Sequence, residues 1–539
     1  MPIHSRKMTE DYITKVISDC LHDCTQIANT HKELKYIHKA IDNLSLRLQE
    51  PMQLAIVGRI SSSKSTLVNA ILGKAEVVRT GHEAETFNVS WLKYGSDDEP
   101  IKVFFKDGTH VDVARSSWAE WASHSGEEQL KTKVSYIEVK ASDEILKSIN
   151  IIDTPGLDAT SKVDSENTIQ FLKKVNPDAV VLLFTKSLSE SSLRLIDEFQ
   201  QSDFSNSYSI NPMNALGVLS KPDLNWNVVN NCDVIEASKG AVTRTLSGRD
   251  DVRKALFRII PVSALMGVAS SCITDEDMSF FKALSTIGNP ADKAKLFMSA
   301  DYFVQSNLIS GVTENYKKAV VLKFGLYGIH VCVEKLKEFP ETDKNQLATC
   351  LREKSGFNQF VEVLYSHFGD RSRVLKAQRS VTSLLDACNR DSQDKAAHQA
   401  AIDKIVSRVI SIQEELHDLK EMDLLNKIYE GRLSIEPSFM NELKTVCGEA
   451  GDDVCTRLGV SDQMPVEALI DISNERCLKW TRKYNALKRI SEQKAYPYGV
   501  VSKSYSLISK RLAEQYSEYN NAIRTISIFN RYVYGRTNV

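Results

Sequence analysis

The sequence predicts an α/β domain with a doubly wound, mostly parallel sheet, joined to an elongated antiparallel α-helical bundle. Two observations carry this prediction. Short runs of β-branched and aliphatic residues alternate with helical patterns in the middle of the chain, as in parallel sheets covered by helices. The outer stretches instead lack glycine and proline and repeat apolar residues every three or four positions, which is typical of amphipathic helices.

The distribution of glycine and proline predicts the domain boundaries. Four stretches contain neither residue: Ile3 to Glu50, Asp370 to Glu430, Val466 to Tyr496 and Val500 to Tyr534. We therefore predict an N-terminal helix in 1–50 that joins the helical bundle, an α/β domain in 51–370 and a helical stalk in 371–539. The tip of this stalk is placed near 432–465.

Three apolar seams support the helical bundle. Their residues, in chain order, are Leu34, Ile37, Ile41, Leu44 and Leu48, then Ile402, Ile405, Val409, Ile412, Leu416 and Leu419, then Ile508, Leu512, Tyr519, Ile523, Ile526 and Val533. One helix of about 60 residues, roughly 90 Å long, is favoured for the second stretch. Several shorter helices with turns that lack glycine and proline remain the alternative. Pro497 and Gly499 are predicted to interrupt the returning helix, where a hinge could lie.

Composition excludes several classes of protein. The 539 residues are 42% hydrophobic and 26% charged, with a formal net charge of -2. The chain therefore lacks the excess of basic residues that would indicate nucleic-acid binding. The first residues form no apolar segment typical of a secretory signal, and no stretch reaches the roughly 18 apolar residues of a membrane span. We expect a cytoplasmic protein, peripheral to the inner membrane if it associates with one.

The predicted sheet supplies the framework for the motifs. Its strands are predicted at Leu54–Val57, Val103–Phe105, Ile149–Ile152, Ala179–Phe184, Ala215–Leu219 and Ile259–Val262. Ligands of doubly wound folds bind beyond the carboxyl ends of the strands. Residues that directly follow these strands are therefore the candidates for a binding site.

A phosphate-binding loop follows the first strand. The segment runs from Gly58 through Arg59 and Ile60 to Ser61-Ser62-Ser63-Lys64-Ser65-Thr66 and enters a helix. Backbone N–H groups at a helix N-terminus bind phosphates, and the lysine of such a loop reaches the β- and γ-phosphates. The serine after the lysine holds Mg²⁺. A serine-rich turn between a strand and a helix is the structural alternative.

Ser63 departs from the pattern, which asks for glycine at this position. Glycine is favoured because the backbone bends tightly and passes close to the phosphates. A serine costs about 1 kcal/mol of strain if left-handed dihedrals are needed. We expect Ser63 to weaken nucleotide affinity without abolishing it.

A second motif, Asp153-Thr154-Pro155-Gly156, follows the strand at Ile149–Ile152. An aspartate at the end of such a strand supports Mg²⁺, commonly through water. The Gly156 N–H is then placed to contact the γ-phosphate at the start of a switch loop. A simple β-turn explains the residues but not their place after a second buried strand.

Two further motifs indicate guanine. Ser220-Lys221-Pro222-Asp223 follows the strand at Ala215–Leu219, and the Asp223 carboxylate can accept hydrogen bonds from N1–H and the amine of guanine. Adenine offers no such pair. The Lys221 stem would lie over the ring. Ser263-Ala264-Leu265 follows the last strand and matches the loop that contacts the guanine carbonyl. The order of all four motifs predicts a P-loop domain that binds GTP or GDP with Mg²⁺.

A switch threonine should lie between the phosphate loop and the second motif. Thr80 and Thr86 are the candidates, and Thr86 is favoured. Such a threonine meets Mg²⁺ and the attacking water. A solvated loop threonine is an equally simple interpretation of either residue.

These motifs resemble those of dynamin-like GTPases, in particular the bacterial proteins that are similar to mitofusins. The resemblance extends through Asn69-Ala70-Ile71-Leu72-Gly73, through Thr86 followed by Lys93-Tyr94-Gly95, and through the closing helix after Lys354-Ser355-Gly356-Phe357. It implies GTP hydrolysis coupled to dimerisation of the GTPase domain or to pairing with partner dynamin-like proteins. It also implies remodelling or tethering of membranes, and one similar member of the family suggests a role in vesicle or toxin-secretion processes.

The resemblance also assigns catalytic roles. It implies that Ser61, Lys64 and Thr86 order the reaction. Ile60 stands where some members carry glutamine and cannot orient a water, so hydrolysis could be weak or partner-dependent. Arg59 is the candidate cation for the transition state, with a solvated surface arginine as the alternative. A nucleotide-gated scaffold that barely hydrolyses GTP, and a structural protein with a decayed pocket, are the competing hypotheses.

Direct lipid insertion at the predicted stalk tip is not favoured. The segment 432–465 contains Phe439, Met440 and Leu443 but no sustained apolar run. Its three basic residues face six acidic ones, so anionic lipid would repel it. We expect its apolar residues to pack inside the bundle, and any membrane association to be indirect through a partner subunit.

Overall fold

A computed structural model describes residues 5–74, 88–122, 133–156, 175, 177–186, 188, 212–229, 232–308, 311–394 and 398–534. The chain divides into two compact units, one formed by residues 1–48 and 373–539 and the other by residues 49–372. The first is helical and the second contains the sheet. No described helix is both long and apolar enough to cross a lipid bilayer.

Nine strands among the described residues of the second unit form one sheet. They are β1 (Met52–Gly58), β2 (Ser90–Tyr94), β3 (Ile101–Phe105), β4 (His110–Val113), β5 (Val134–Ala141), β6 (Ile149–Asp153), β7 (Ala179–Phe184), β8 (Ala215–Ser220) and β9 (Arg258–Val262).

The described α-helices alternate with these strands and continue beyond them. They are α1 (Ser5–Asn29), α2 (Lys35–Arg47), α3 (Lys64–Ile71), α4 (Trp118–Ala122), α5 (Val234–Gly248), α6 (Asp250–Ala255), α7 (Ala264–Ser270), α8 (Asp275–Ser285), α9 (Pro290–Leu296), α10 (Ala300–Gln305), α11 (Glu314–Glu338), α12 (Lys344–Lys354), α13 (Phe357–Val363), α14 (Ser372–Asp394), α15 (Gln399–Glu415), α16 (His417–Tyr429), α17 (Pro437–Val446), α18 (Val454–Leu458), α19 (Val466–Lys488) and α20 (Glu492–Tyr534).

The sheet is mostly parallel, as predicted. Its strand order is β4-β3-β5-β2-β6-β1-β7-β8-β9. All neighbours from β6 to β9 pair in parallel, whereas β2 pairs antiparallel with β6, and β3 pairs antiparallel with both β4 and β5. Every residue of β1, β6, β7 and β8 is buried, because helices cover both faces of a parallel sheet. The carboxyl ends of β6, β1, β8 and β9 therefore meet at one edge.

The helical unit shows why its helices pair. Helix α2 has no side-chain cap of its own, and Asp391 of α14 instead accepts a hydrogen bond from the N–H of Ile37 at 2.9 Å. At the other end of α2, Arg373 and Lys376 of α14 donate to the carbonyls of Leu48 and Arg47. These contacts place α14 antiparallel to α2, with an acid at the helix N-terminus and cations at the C-terminus, as the helix dipole favours.

The apolar seams of the first two stretches lie in the core. Residues from Leu34 to Leu48 and from Ile402 to Leu419 that form the predicted seams are all buried. In the third stretch Ile508 and Leu512 are buried, whereas Tyr519 is 55% exposed and lies outside the core. The side chains of Ile523, Ile526 and Val533 lie outside the described residues.

The single long helix predicted for 370–430 is wrong. The structure has three helices there, α14, α15 and α16, and the last two meet at Leu416, whose φ of -95° and ψ of 96° are extended. Leu416 stays buried through this turn, and His417 beside it hydrogen-bonds Ser504 of α20 at 2.9 Å. Core packing and a tertiary hydrogen bond thus turn the chain without glycine or proline. The N-terminal segment is likewise two helices.

The interruption predicted at Pro497 and Gly499 is also wrong. Helix α20 continues through both residues, and the reversal between α19 and α20 lies at 489–491. A Cβ atom at Gly499 would lie 2.9 Å from the ring of Tyr484 in α19. Gly499 therefore allows close packing of the two helices.

Aromatic residues of the segment 432–465 pack inside the helical unit. The ring of Phe439 in α17 lies 4.8 Å from that of Trp480 in α19 and 5.4 Å from that of Tyr498 in α20. Leu443 is fully buried. These contacts agree with the interpretation of the apolar residues as bundle core.

Candidate functional site

The loop after β1 has the backbone that the sequence pattern requires. Ser61 and Ser63 both have left-handed dihedrals, with φ of 58° and 68°, and helix α3 begins at Lys64 directly afterwards. Such dihedrals cost a non-glycine residue about 1–2 kcal/mol. The strain expected at Ser63 is thus present, and Ser61 shares it.

The loop closes around the lysine. The Nζ atom of Lys64 donates to the carbonyls of Gly58 at 3.2 Å and Arg59 at 3.1 Å, and only 6% of Lys64 is exposed. The hydroxyl of Ser62 is buried and has no hydrogen-bond partner. A buried hydroxyl without a partner is costly, so this atom is suited to a ligand in the loop.

The first two motifs contact each other. Ser65 Oγ donates to Asp153 Oδ2 at 2.9 Å, and Thr154 Oγ1 donates to the carbonyl of Ile56 at 2.8 Å. A Cβ atom at Gly156 would collide with Ile60, so only glycine lets the second motif pass so close to the phosphate loop. Thr154, whose bond ties β6 to β1, was not singled out from the sequence although it belongs to the motif.

Asp153 is the titratable centre of this cluster. Burial raises the pKa of its carboxyl to about 6, while the charge of Lys64 and the hydrogen bond from Ser65 act in the opposite direction. Its Oδ1 atom is buried and has no hydrogen-bond partner. An unpaired carboxylate oxygen beside a serine hydroxyl is the oxygen donor set that Mg²⁺ prefers, so these residues fit the predicted metal ion.

The third motif forms a tight turn after β8. Lys221 has left-handed dihedrals with φ of 55°, and a 3₁₀ turn, Pro222–Asn225, follows it. Asp223 Oδ1 is buried and has no hydrogen-bond partner. Burial raises the pKa of Asp223, and a hydrogen bond from Ser263 acts in the opposite direction. The third and fourth motifs are therefore adjacent.

The fourth motif begins helix α7. Ser263 is fully buried and caps this helix by accepting from the N–H of Met266, and Ala264 is buried behind it. The Ser263 N–H donates to the carbonyl of Ser355 at 2.9 Å, and Gly356 packs directly against the carbonyl of Pro261. The turn before α13 thus supports this loop from outside the sheet.

The remaining predicted residues divide into two groups. Thr66 is half-buried in the first turn of α3, and Arg59 is exposed on the phosphate loop. Thr80 and Thr86 lie outside the described residues. Among the described residues, all three non-glycine positions with left-handed dihedrals, Ser61, Ser63 and Lys221, lie in the predicted motifs. Strained backbone of this kind is concentrated at functional sites.

Fold and motif order define the class of P-loop GTPases. Residues 54–221 match the model of the dynamin family. The isoniazid-induced protein IniC of Mycobacterium tuberculosis is 23% identical over 453 residues, covering 79% of this chain and 84% of that protein. Dynamin-like protein 2 of Campylobacter jejuni is 28% identical over 155 residues, covering 28% of this chain and 24% of that protein. These similarities confirm the predicted resemblance to bacterial dynamin-like GTPases.

A solved structure is also similar over most of the chain. It is described as an oligomerised bacterial dynamin pair, and the similarity covers 95% of this chain and 78% of that chain at 16% identity. The TM-score is 0.31.

Proposed function

We propose that this protein binds GTP and GDP with Mg²⁺ and hydrolyses GTP. One observation carries the proposal: three buried polar atoms without partners, Ser62 Oγ, Asp153 Oδ1 and Asp223 Oδ1, belong to loops at one edge of the sheet. The first two suit phosphate and metal, and the third suits a base that donates two hydrogen bonds. A guanine nucleotide satisfies all of them together.

Each predicted residue then has a definite task. Lys64 and the N–H groups of 58–66 would hold the phosphates, and Ser65 and Asp153 would hold Mg²⁺, which supplies charge neutralisation at the phosphates. Lys221, Asp223, Ser263 and Ala264 would enclose guanine. Phosphoryl transfer depends mainly on such positioning and on charge neutralisation, so no general base is required.

A binding titration tests the proposal. Calorimetry with GTP, GDP and ATP should show binding of the two guanine nucleotides and no binding of ATP. Lys64→Ala should weaken GTP binding at least about a hundredfold, because a buried cation at the phosphates is lost. Lys344→Ala is a matched control, since Lys344 is an exposed lysine that belongs to none of the four motifs. Equal binding of ATP and GTP by the unaltered protein would refute the proposal.

A nucleotide-gated scaffold with little hydrolysis is the second candidate. Ile60 favours it, because an aliphatic side chain cannot orient water and Gly156 packs against it. Turnover should be measured with and without liposomes and with partner dynamin-like subunits. Binding without turnover in every condition would support the scaffold, whereas turnover in any of them would support the enzyme.

We propose that the active form pairs through its GTPase domain, with a second copy or with a partner dynamin-like protein. The resemblance to dynamin-like GTPases supports this part of the proposal, since it implies such pairing. Sedimentation with GDP and with a non-hydrolysable GTP analogue tests it. Pairing should increase with the analogue, and an unchanged monomer with both ligands would contradict it.

Membrane association is the remaining part of the proposal. The reversal between α19 and α20 carries Ile490, whose side chain is 76% exposed, among four basic residues and one acidic residue: Arg482, Lys488, Arg489, Lys494 and Glu492. Lys483 is not counted because it forms an ion pair with Glu436. This charge suits anionic lipid better than that of segment 432–465. Arg489→Glu should reduce the amount of protein that sediments with phosphatidylglycerol vesicles. Leu478→Asp, at an exposed position of α19, serves as the control. Equal sedimentation of both variants would exclude this surface.

A further inference from the structure

Helix α11 is broken at Gly325 inside the GTPase unit. This residue has φ of 67° and ψ of 162°, a conformation that is essentially restricted to glycine. The preceding residue, Phe324, is fully buried, so the break lies in the core and not at an exposed end. Gly325 itself is half-buried, and its strained conformation needs a reason in its surroundings.

The break faces both base-binding loops. A Cβ atom at Gly325 would lie 3.8 Å from Asp223 Oδ2 and 3.5 Å from Leu265 Cδ2. Asp223 follows β8, and Leu265 follows Ser263 and Ala264 after β9. Gly325 is thus the point at which α11 contacts the third and the fourth motif together.

The two halves of α11 are held by different parts of the unit. Before the break, Lys323 forms an ion pair with Asp277 of α8 at 2.6 Å. After the break, Tyr327 and His330 pack against Trp226, with ring centroids 5.6 Å and 4.7 Å apart. The backbone N–H of Trp226 donates to the carbonyl of Asp223. The second half therefore holds the loop of Asp223, and the first half is fixed to α8.

We propose that Gly325 is a positioning residue for base recognition. The inference rests on the proposed function and names a residue that acts through Asp223. The break lets α11 keep both anchors while its backbone passes so near that a Cβ at position 325 would contact the carboxylate and Leu265. A side chain at Gly325 strains this backbone, and the chain then shifts where it touches Asp223. The phosphate loop lies two strands away and is left in place.

The ratio of GDP affinity to IDP affinity reports this effect. Hypoxanthine lacks the exocyclic amine of guanine and so loses one hydrogen bond to the charged Asp223. Hydrogen bonds to charged groups predict that the unaltered protein binds GDP roughly ten- to hundredfold more tightly than IDP. Gly325→Ala should reduce this ratio at least about fivefold, chiefly by weakening GDP. General destabilisation would weaken both ligands equally.

Gly328→Ala is the matched control. It makes the same change three residues later in the same helix, where the Cβ would lie 3.4 Å from Met266 in ordinary contact. We expect its ratio to be unchanged. If Gly325→Ala fails to fold, Leu265→Ala removes the contact without straining the backbone and should lower the ratio by a smaller factor.

The outcomes separate this inference from the proposed function. Failure of the unaltered protein to prefer GDP to IDP would refute guanine recognition itself. If the unaltered protein prefers GDP and Gly325→Ala keeps the same preference, only the role of Gly325 is overturned. If Gly325→Ala does not fold, an unchanged preference in Leu265→Ala has the same meaning.

Discussion

The hydroxyl of Ser65 lies 2.9 Å from Asp153 Oδ2, so the first helix after the phosphate loop and the end of strand β6 are joined by one hydrogen bond. The second oxygen of Asp153 is buried without a partner. The nucleotide-free protein thus keeps the proposed metal ligands together at an energetic cost, since a buried carboxylate is poorly solvated.

Asp153 should make the nucleotide-free protein less stable at neutral pH. Its folded pKa of about 6 lies above the value of about 4 for an unfolded chain. Between these values the folded protein holds a proton that the unfolded chain has released, so stability falls as the pH rises from about 4 to about 6. The loss amounts to about 3 kcal/mol and persists above pH 6. Urea unfolding of Asp153→Asn should lack this dependence, whereas Asp250→Asn, at an exposed carboxylate, should retain it.

Ser63→Gly should stabilise the protein. The substitution removes left-handed strain of about 1–2 kcal/mol, from which the larger entropy of glycine in the unfolded chain subtracts about 0.5–1 kcal/mol. Asp98→Gly, at an exposed turn residue without left-handed dihedrals, removes no such strain and should destabilise by about 0.4–1 kcal/mol. The two substitutions should therefore change the free energy of unfolding in opposite directions, which chemical unfolding measures. Destabilisation by both would show that Ser63 is unstrained.

Asp223→Asn should change the preferred base. An asparagine can donate to the 2-oxygen of xanthine but cannot accept both hydrogen bonds from guanine. We expect GTP affinity to fall at least about tenfold and XTP affinity to rise. Competition between the two nucleotides, measured by calorimetry, provides the readout. Unaltered preference for GTP would remove Asp223 from the base site.

The helical unit contains a buried ion pair whose disruption should be costly. Arg457 Nη2 of α18 lies 2.5 Å from Glu421 Oε1 of α16, and both side chains are less than a tenth exposed. Arg457→Met leaves the carboxylate buried without this partner and should destabilise by about 3–5 kcal/mol. The double variant Arg457→Met with Glu421→Leu should recover most of this loss. A double variant no more stable than Arg457→Met would mean that the arginine contributes chiefly through its packing.

Strands β1, β6, β8 and β9 and their loops could be predicted from sequence because each is a short aliphatic run followed by polar motif residues. Strands β2, β4 and β5 mix polar and apolar residues and were missed. The helix lengths could not be predicted. Ile412, Leu416 and Leu419 keep the spacing of one helix and are all buried, although the backbone of Leu416 is extended. The spacing of apolar residues indicates which residues are buried. A turn whose residues stay buried does not change that spacing, so it cannot be detected from the pattern.

The break at Gly325 could not be predicted for a related reason. Gly325 and Gly328 stand three residues apart in the same helical pattern, yet only Gly325 has non-helical dihedrals. The difference arises from Asp223, Leu265 and Trp226, which are distant in sequence. The conformational freedom of glycine allows a helix break at either residue. Tertiary contacts determine that the break lies at Gly325.

Strand β7 supplies none of the predicted site residues, yet it separates β1 from β8 in the sheet. Neighbouring strands lie about 4.8 Å apart, so the anchors on either side of β7 are roughly 10 Å from each other at this edge. In the proposed nucleotide site, β7 would therefore set the distance between the phosphate anchor and the base anchor. Free pyrophosphate or a bare nucleobase would engage one anchor only, whereas a whole nucleotide would reach both.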